Sequence, residues 1–218
     1  MDETERSEKD GSFEKLSPEQ KEKVLAKLVP YIERTGWLTS ALTKRPVDGR
    51  GQPIPWYTYS AIHFLLTRDT RDCAVFEFGC GHSTFWWSRR AASVEFCEHN
   101  PKWVGVMNES TPANVSGRYI ELDTDGTYAR AAQSTGKKFD IIVIDGRDRV
   151  NCAKRSLDAL TGRGVFIWDN ANRERYQEGM VFLRQLGFKQ IDFKGHCPIN
   201  SAEGQTSIFY RTRNCLDI

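Results

Sequence analysis

The chain has 218 residues, 39% of them apolar, with 31 Lys and Arg against 29 Asp and Glu. That length suits one large domain rather than two. A net charge of +2 with both signs interspersed argues against nucleic acid as a partner, and the lack of any apolar run near ~20 residues argues against a membrane.

Residues 1–15 read as a disordered leader, residues 16–72 as a helical and loop cap, and residues 73–218 as the core. The start MDETERSEKDG is polar and acidic, the opposite of a secretory signal. Six cysteines at 73, 80, 97, 152, 197 and 215, with no CxxC pair, read as reduced thiols of a cytoplasmic protein. Ser17-Pro18-Glu19-Gln20 is a helix start with a capping box. Val24, Leu25, Leu28, Val29 and Ile32 recur at helical spacing, which places that helix on the core, with Pro30 kinking or restarting it. The stretch 38–58 holds three prolines and two glycines, which rule out a long regular element. Within it Pro55-Trp56-Tyr57 has two readings: side chains that tuck the loop onto the body, or a wall over a pocket. Residues 60–66 then read as a helix.

From Cys73 strand and helix patterns alternate. Strands are expected at 74–79, 93–98, 118–122, 139–145 and 164–169, and helices at 84–91, 101–110, 127–135, 150–160 and 174–186. Ile141-Ile142-Val143-Ile144 is an unbroken apolar run, the mark of a strand covered on both faces. Trp86, Trp87, Trp103 and Trp168 read as core. Two last strands, 189–194 and 206–211, are joined by a loop too short for a helical crossover, so they pair antiparallel. The fold class is therefore α/β: a doubly wound, seven-stranded, mostly parallel sheet with a C-terminal antiparallel strand pair and an N-terminal helical cap.

In such a sheet the ligand lies past the carboxyl ends of the strands, and acids crowd those ends. The first strand closes on Glu77 and turns through Gly79-Cys80-Gly81, with Ser83 opening the next helix. Glycines there let a ligand approach the backbone, and the N–H groups that follow suit an anion. Glu98 follows Gly79 by 19 residues, the spacing of an acid that accepts hydrogen bonds from ribose hydroxyls. His99 beside it reads as a cofactor-edge or helix-start residue. The remaining ends carry Asp123 and Asp125, then Asp145, then Asp169-Asn170.

At these residues the chain resembles the class I (Rossmann-like) S-adenosylmethionine-dependent methyltransferases. Glu77-Phe78-Gly79-Cys80-Gly81 is similar to that family's acid-x-Gly-x-Gly motif, Phe139–Asp145 to its fourth motif, and the closing strand pair to its sixth and seventh strands. The likeness spans residues 58–211. It implies S-adenosylmethionine as cofactor, methyl transfer to the oxygen or nitrogen of a small-molecule or glycan-type acceptor, and an adenine contact at Asp123 or Asp125. Asp145, Asp169 and Asn170 are similar to the metal triad of cation-dependent O-methyltransferases, which implies Mg²⁺; the other reading has Asp145 on the cofactor amine, and nearby arginines pairing with these acids. Asp145 and His82 are the candidate catalytic residues, while His196 and Asn200 fall in a loop that suits a substrate wall. Two rivals stand beside this reading. One is an NAD(P) enzyme, disfavoured because His82, Ser83 and Thr84 replace the third glycine of the dinucleotide fingerprint. The other is a non-catalytic methyltransferase-like module.

Overall fold

The computed structural model describes residues 12–108 and 111–218. A short 3₁₀ turn, Phe13–Lys15, precedes three helices, α1 (Pro18–Thr35), α2 (Trp37–Thr43) and α3 (Tyr59–Leu66). The alternating part follows: β1 (Ala74–Phe78), α4 (His82–Ser88), β2 (Ser93–Glu98), α5 (Pro101–Asn108) and β3 (Val115–Tyr119). It continues through β4 (Phe139–Ile144), α6 (Arg149–Arg155), β5 (Leu160–Asp169) and α7 (Gln177–Gln185) to β6 (Lys189–His196) and β7 (Glu203–Tyr210). The expected leader lies outside the described residues up to position 11, as do positions 109 and 110 of the expected fourth helix.

The seven strands lie in the order β3-β2-β1-β4-β5-β7-β6. The first five run parallel, and β7 is antiparallel to both β5 and β6. The chain winds outward from β1 to β3, then returns to lay β4 on the other side of β1. That reversal opens a crevice at the carboxyl ends of β1 and β4.

The period of two along each strand explains why the sheet needs helices on both faces. Ile142 and Ile144 join Phe76, Phe78 and Trp168 in one buried cluster. Ile141 and Val143 join Val75, Trp86 and Trp87 in the other. Each such aliphatic side chain contributes about 1.5–3 kcal/mol by leaving water.

Several expectations need correction. Helix α1 starts as expected: Ser17 Oγ accepts from the Gln20 amide, and Gln20 Oε1 accepts from the Ser17 amide. It does not lie on the core, however. None of its residues is buried, and Val24, Leu25, Leu28 and Val29 are between 39% and 45% exposed. The helix also runs unbroken through Pro30 to Gly36, whose φ of 78° ends it. The helix expected at 127–135 is absent apart from a 3₁₀ turn, Gln133–Thr135. There the Asp123 carboxylate takes the amides of Thr127 and Tyr128 at 2.7 and 2.9 Å, so those donors are spent on a side chain instead of a helical ladder. Strand β3 ends earlier than expected, and β6 and β7 run longer, pairing as far as His196 with Glu203. Trp103 is 43% exposed, with its ring against Gly81, whereas Trp86, Trp87 and Trp168 are core. No helix among the described residues is long and apolar enough to cross a membrane.

Truncating Ile142 to Ala should lower the unfolding free energy by about 2–5 kcal/mol. The same change at Leu42, which is 76% exposed, should stay within ~0.5 kcal/mol. Denaturant unfolding of the two variants checks this; equal losses would contradict the assigned core.

Candidate active site

Strand β1 carries Glu77 to full burial beneath the glycine turn. Thr84 Oγ1 donates to Glu77 Oε2 at 2.5 Å and accepts from the Gly81 amide at 3.0 Å, so Glu77 supports the turn from below. Its other oxygen, Oε1, has no partner among the described residues. Burial pushes the Glu77 carboxyl up to about 8; the Thr84 hydrogen bond opposes the shift, and Asp145 and Glu98 add to it. Gly79 has a φ of 100°, and a Cβ there would stand 3.4 Å from the Gly146 nitrogen. The turn after β1 therefore rests directly on the turn after β4.

Strand β2 ends on Glu98, buried beside that turn. Its Oε2 accepts from the Cys80 amide at 3.2 Å and its Oε1 from the Asn100 amide at 2.7 Å. The carboxylate is thus held on the edge of the glycine turn with acceptor capacity to spare. His99 Nδ1 lies 2.8 Å from Glu98 Oε1 but outside hydrogen-bond geometry, and its ring meets Tyr128 edge-on. Cys80 contributes its backbone, since burial raises its thiol far above the usual range. Ser83 is buried at the start of α4.

Asp123 is engaged within its own loop, and Asp125 by Arg155 at the end of α6. Asp123 holds the turn described above. Asp125 takes Arg155 Nε and Nη2 at 2.7 and 2.5 Å, and that pair holds its carboxyl below the ordinary value. His82 is also committed elsewhere: its Nδ1 is 2.6 Å from the Pro46 carbonyl, so that nitrogen carries the proton. The ring pins the glycine turn to the loop between α2 and α3 and is not part of the cavity that follows.

A cavity of about 490 Å³ opens at the carboxyl ends of β4 and β5. Asp145 and Arg149 form one side, Asp169 and Asn170 another, with Trp56 and Asn200 closing it. Arg149, only 6% exposed, organises it. Its Nη2 donates to the Asp145 carbonyl at 2.6 Å and to Asp145 Oδ1 at 3.0 Å, its Nε to the Gly146 carbonyl at 3.0 Å, and its Nη1 to the Asp169 carbonyl. Asp145 keeps 25% of its side chain exposed, toward the cavity. Asp169 Oδ1 accepts from Thr206 Oγ1 at 3.0 Å, and Thr206 Oγ1 accepts from the Thr58 amide at 3.0 Å. Burial raises both carboxyls: Asp169 reaches about 8 with Asp145 adding to the shift, while Arg149 opposes it at both.

The Pro-Trp-Tyr segment divides between its two readings. Trp56 walls the cavity, and Tyr57 tucks inward, fully buried, its hydroxyl accepting from Trp87 Nε1 at 3.4 Å. Asn200, in the loop after β6, lines the cavity, while His196 is the last residue of β6 and faces an apolar groove beside α1. Arg149 acts four positions after Asp145, a spacing visible in the chain. The Thr58–Thr206–Asp169 chain joins residues far apart in sequence and left no local trace.

Asp145, Asp169 and Asn170 do not fit Mg²⁺. Among the described residues no three His, Cys, Asp or Glu side chains stand close enough to hold a metal. Asp145 faces a guanidinium, and Asp169 Oδ1 already accepts from Thr206. A guanidinium paired with Asp145 repels a divalent cation, so no step is routed through one.

No family model matches the chain, and no curated protein matches it in sequence. Solved structures do match in shape. A precorrin-6y C5,15-methyltransferase from Geobacter metallireducens superposes with a TM-score of 0.52 at 14% identity, over 70% of this chain and 87% of that one. A Streptococcus mutans protein assigned as a methyltransferase, solved in complex with SAH, gives 0.51 at 13% identity, over 69% and 96%. The chain has the class I methyltransferase fold. The methyltransferase fold is shared as well with the Methanococcus jannaschii fibrillarin pre-rRNA processing protein, at a TM-score of 0.50 and 17% identity, over 66% and 69%. That corrects the exclusion of nucleic acid drawn from scattered charge, because a pre-rRNA processing protein uses this same fold.

The pH dependence of stability follows from Glu77 and Asp169. Each carboxyl is raised on folding, so its contribution is full below the unfolded value and is lost as pH rises through about 8. Cofactor-free protein should lose stability between about pH 5 and pH 8. Glu77→Gln should flatten that fall and match the native protein at the acid end. Denaturant titrations across the range measure it; an unchanged slope in Glu77→Gln would show that Glu77 is ionised in the fold.

Proposed function

We propose that the protein transfers a methyl group from S-adenosylmethionine to an oxygen or nitrogen of a small polar acceptor, of small-molecule or glycan type, seated beside Asp145. The observation that carries this reading is that two half-sites meet at Asp145. One is the glycine turn with Glu98; the other is the 490 Å³ cavity, a size that suits a small ligand.

The residues fit the cofactor. Glu98 would accept from the ribose hydroxyls, and the backbone of Gly79–Gly81 would face the amino-acid end. The unpartnered Glu77 Oε1 adds an acidic group beneath the turn. S-adenosylmethionine supplies, when bound, a methyl group made electrophilic by a sulfonium. The chain's own part is to orient the acceptor and to move a proton. Asp145 is the group placed to take the acceptor's proton: it faces the cavity, its burial makes it a stronger base than a free carboxylate, and Arg149 stabilises its ionised form. Asn170 and Asn200 offer donors and acceptors to hydroxyl groups, and Trp56 shields that side from water. All six cysteines are free, in keeping with a reducing, cytoplasmic setting.

Calorimetry with S-adenosylhomocysteine should show binding, and Glu98→Ala should weaken it by about tenfold or more. Tight NAD binding with no response to S-adenosylhomocysteine would overturn the reading. Asp145→Asn should cut turnover on an acceptor drawn from a polar metabolite pool by about a hundredfold or more. Turnover in that variant equal to the native rate would remove Asp145 as the base. Turnover should also persist in a metal chelator.

A further inference from the structure

Three arginines stand in and beside the cavity without a salt bridge to an acid, although the charge of one, Arg173, helps hold the Asp145 carboxyl down. Arg147, Arg173 and Arg175 are exposed, and no ion pair joins any of them to a carboxylate among the described residues. Arg173 lines the 490 Å³ cavity itself. Arg147 and Arg175 line a second, smaller cavity of about 260 Å³, together with Asp148, Arg149, Val150 and Tyr176. Arg149 belongs to both walls, so the two spaces adjoin.

The small cavity is strongly one-signed. Its only acid is Asp148, and that carboxylate is already used: Oδ2 accepts from the Asp125 amide at 2.8 Å and Oδ1 from Asn151 Nδ2 at 2.9 Å. Arg149 is spent on carbonyls and Asp145. Arg175 is steadied over the Tyr176 ring, 4.9 Å from its centroid, with its donors left over. Arg147 has no side-chain partner among the described residues. Guanidiniums with free donors beside a concave space present a fork that matches phosphate oxygens.

We infer that the acceptor carries a phosphate, bound by Arg147 and Arg175 in the smaller cavity with Arg173 at the shared mouth, while its methyl-accepting group lies beside Asp145. This rests on the methyl-transfer reading of the larger cavity. Arg147 and Arg175 are then specificity residues: they select a phosphorylated small molecule over its neutral parent and take no part in the transfer, while Arg173 also acts on the Asp145 charge.

The test uses the full chain and two probes, inorganic phosphate followed by phosphorus NMR and S-adenosylhomocysteine followed by calorimetry. Native protein should broaden the phosphate line saturably. The double variant R147S/R175S should bind phosphate about tenfold more weakly or worse, with S-adenosylhomocysteine affinity and melting temperature unchanged. R147K/R175K, which keeps charge but not the fork, should recover part of the loss. Sugar monophosphates should then be better acceptors than their parent sugars, with the advantage lost as a rise in KM in R147S/R175S. Phosphate binding absent in the native protein, or equal in the double variant, overturns the inference. A short single-stranded RNA that displaces phosphate where a sugar phosphate does not would overturn the small acceptor in favour of nucleic acid. Arginine-dependent phosphate binding without any S-adenosylhomocysteine binding would leave the anion pocket standing and sink the methyl-transfer reading instead.

Discussion

Arg149 is the point on which the site depends. A buried guanidinium without partners is far too costly to keep, so this one takes three backbone carbonyls and the Asp145 carboxylate at once. The carbonyls come from the ends of two neighbouring strands. The same contacts that make the charge tolerable also fix where β4 and β5 stop, and so where Asp145 and Asp169 point. Burial and the neighbouring Asp145 both disfavour charge on Asp169, and the guanidinium opposes the effect of burial at both carboxyls.

The glycine turn depends on a parallel arrangement one strand away. Glu77 bonds Thr84, Thr84 bonds the Gly81 amide, and Glu98 takes the Cys80 amide from the side. The turn is thus held from below and from its edge, leaving its upper face open. One device satisfies backbone carbonyls with a guanidinium and the other backbone amides with acids and a hydroxyl, and the β1 and β4 turns they support are in contact at Gly79 and Gly146.

Much of this was legible in the chain. The unbroken Ile141–Ile144 run announced a strand buried on both faces, because no half-exposed strand could carry it. The glycine turn and Glu98 were legible because their chemistry is local and their spacing is set by one helix. Asp123 misled, since a carboxylate that takes the two amides ahead of it looks in sequence like any strand-end acid. Asp169 misled for a related reason: its environment is made by Thr206 and Arg149, and neither is a sequence neighbour. The apolar spacing of α1 correctly predicted a helix, but periodicity reports an apolar face and not what that face touches.

The segment between His82's partner, Pro46, and the Thr58 amide is pinned at both ends, once to the glycine turn and once to Thr206 on β7. Tyr57 nails it down again from inside. A strap fastened in this way cannot lift like a lid without surrendering two hydrogen bonds and a buried phenol. Trp56 is left as its movable part, able to turn about its own χ angles while the strap stays still. Entry to the cavity is then a side-chain matter, governed on the timescale of rotamer exchange and not of loop opening.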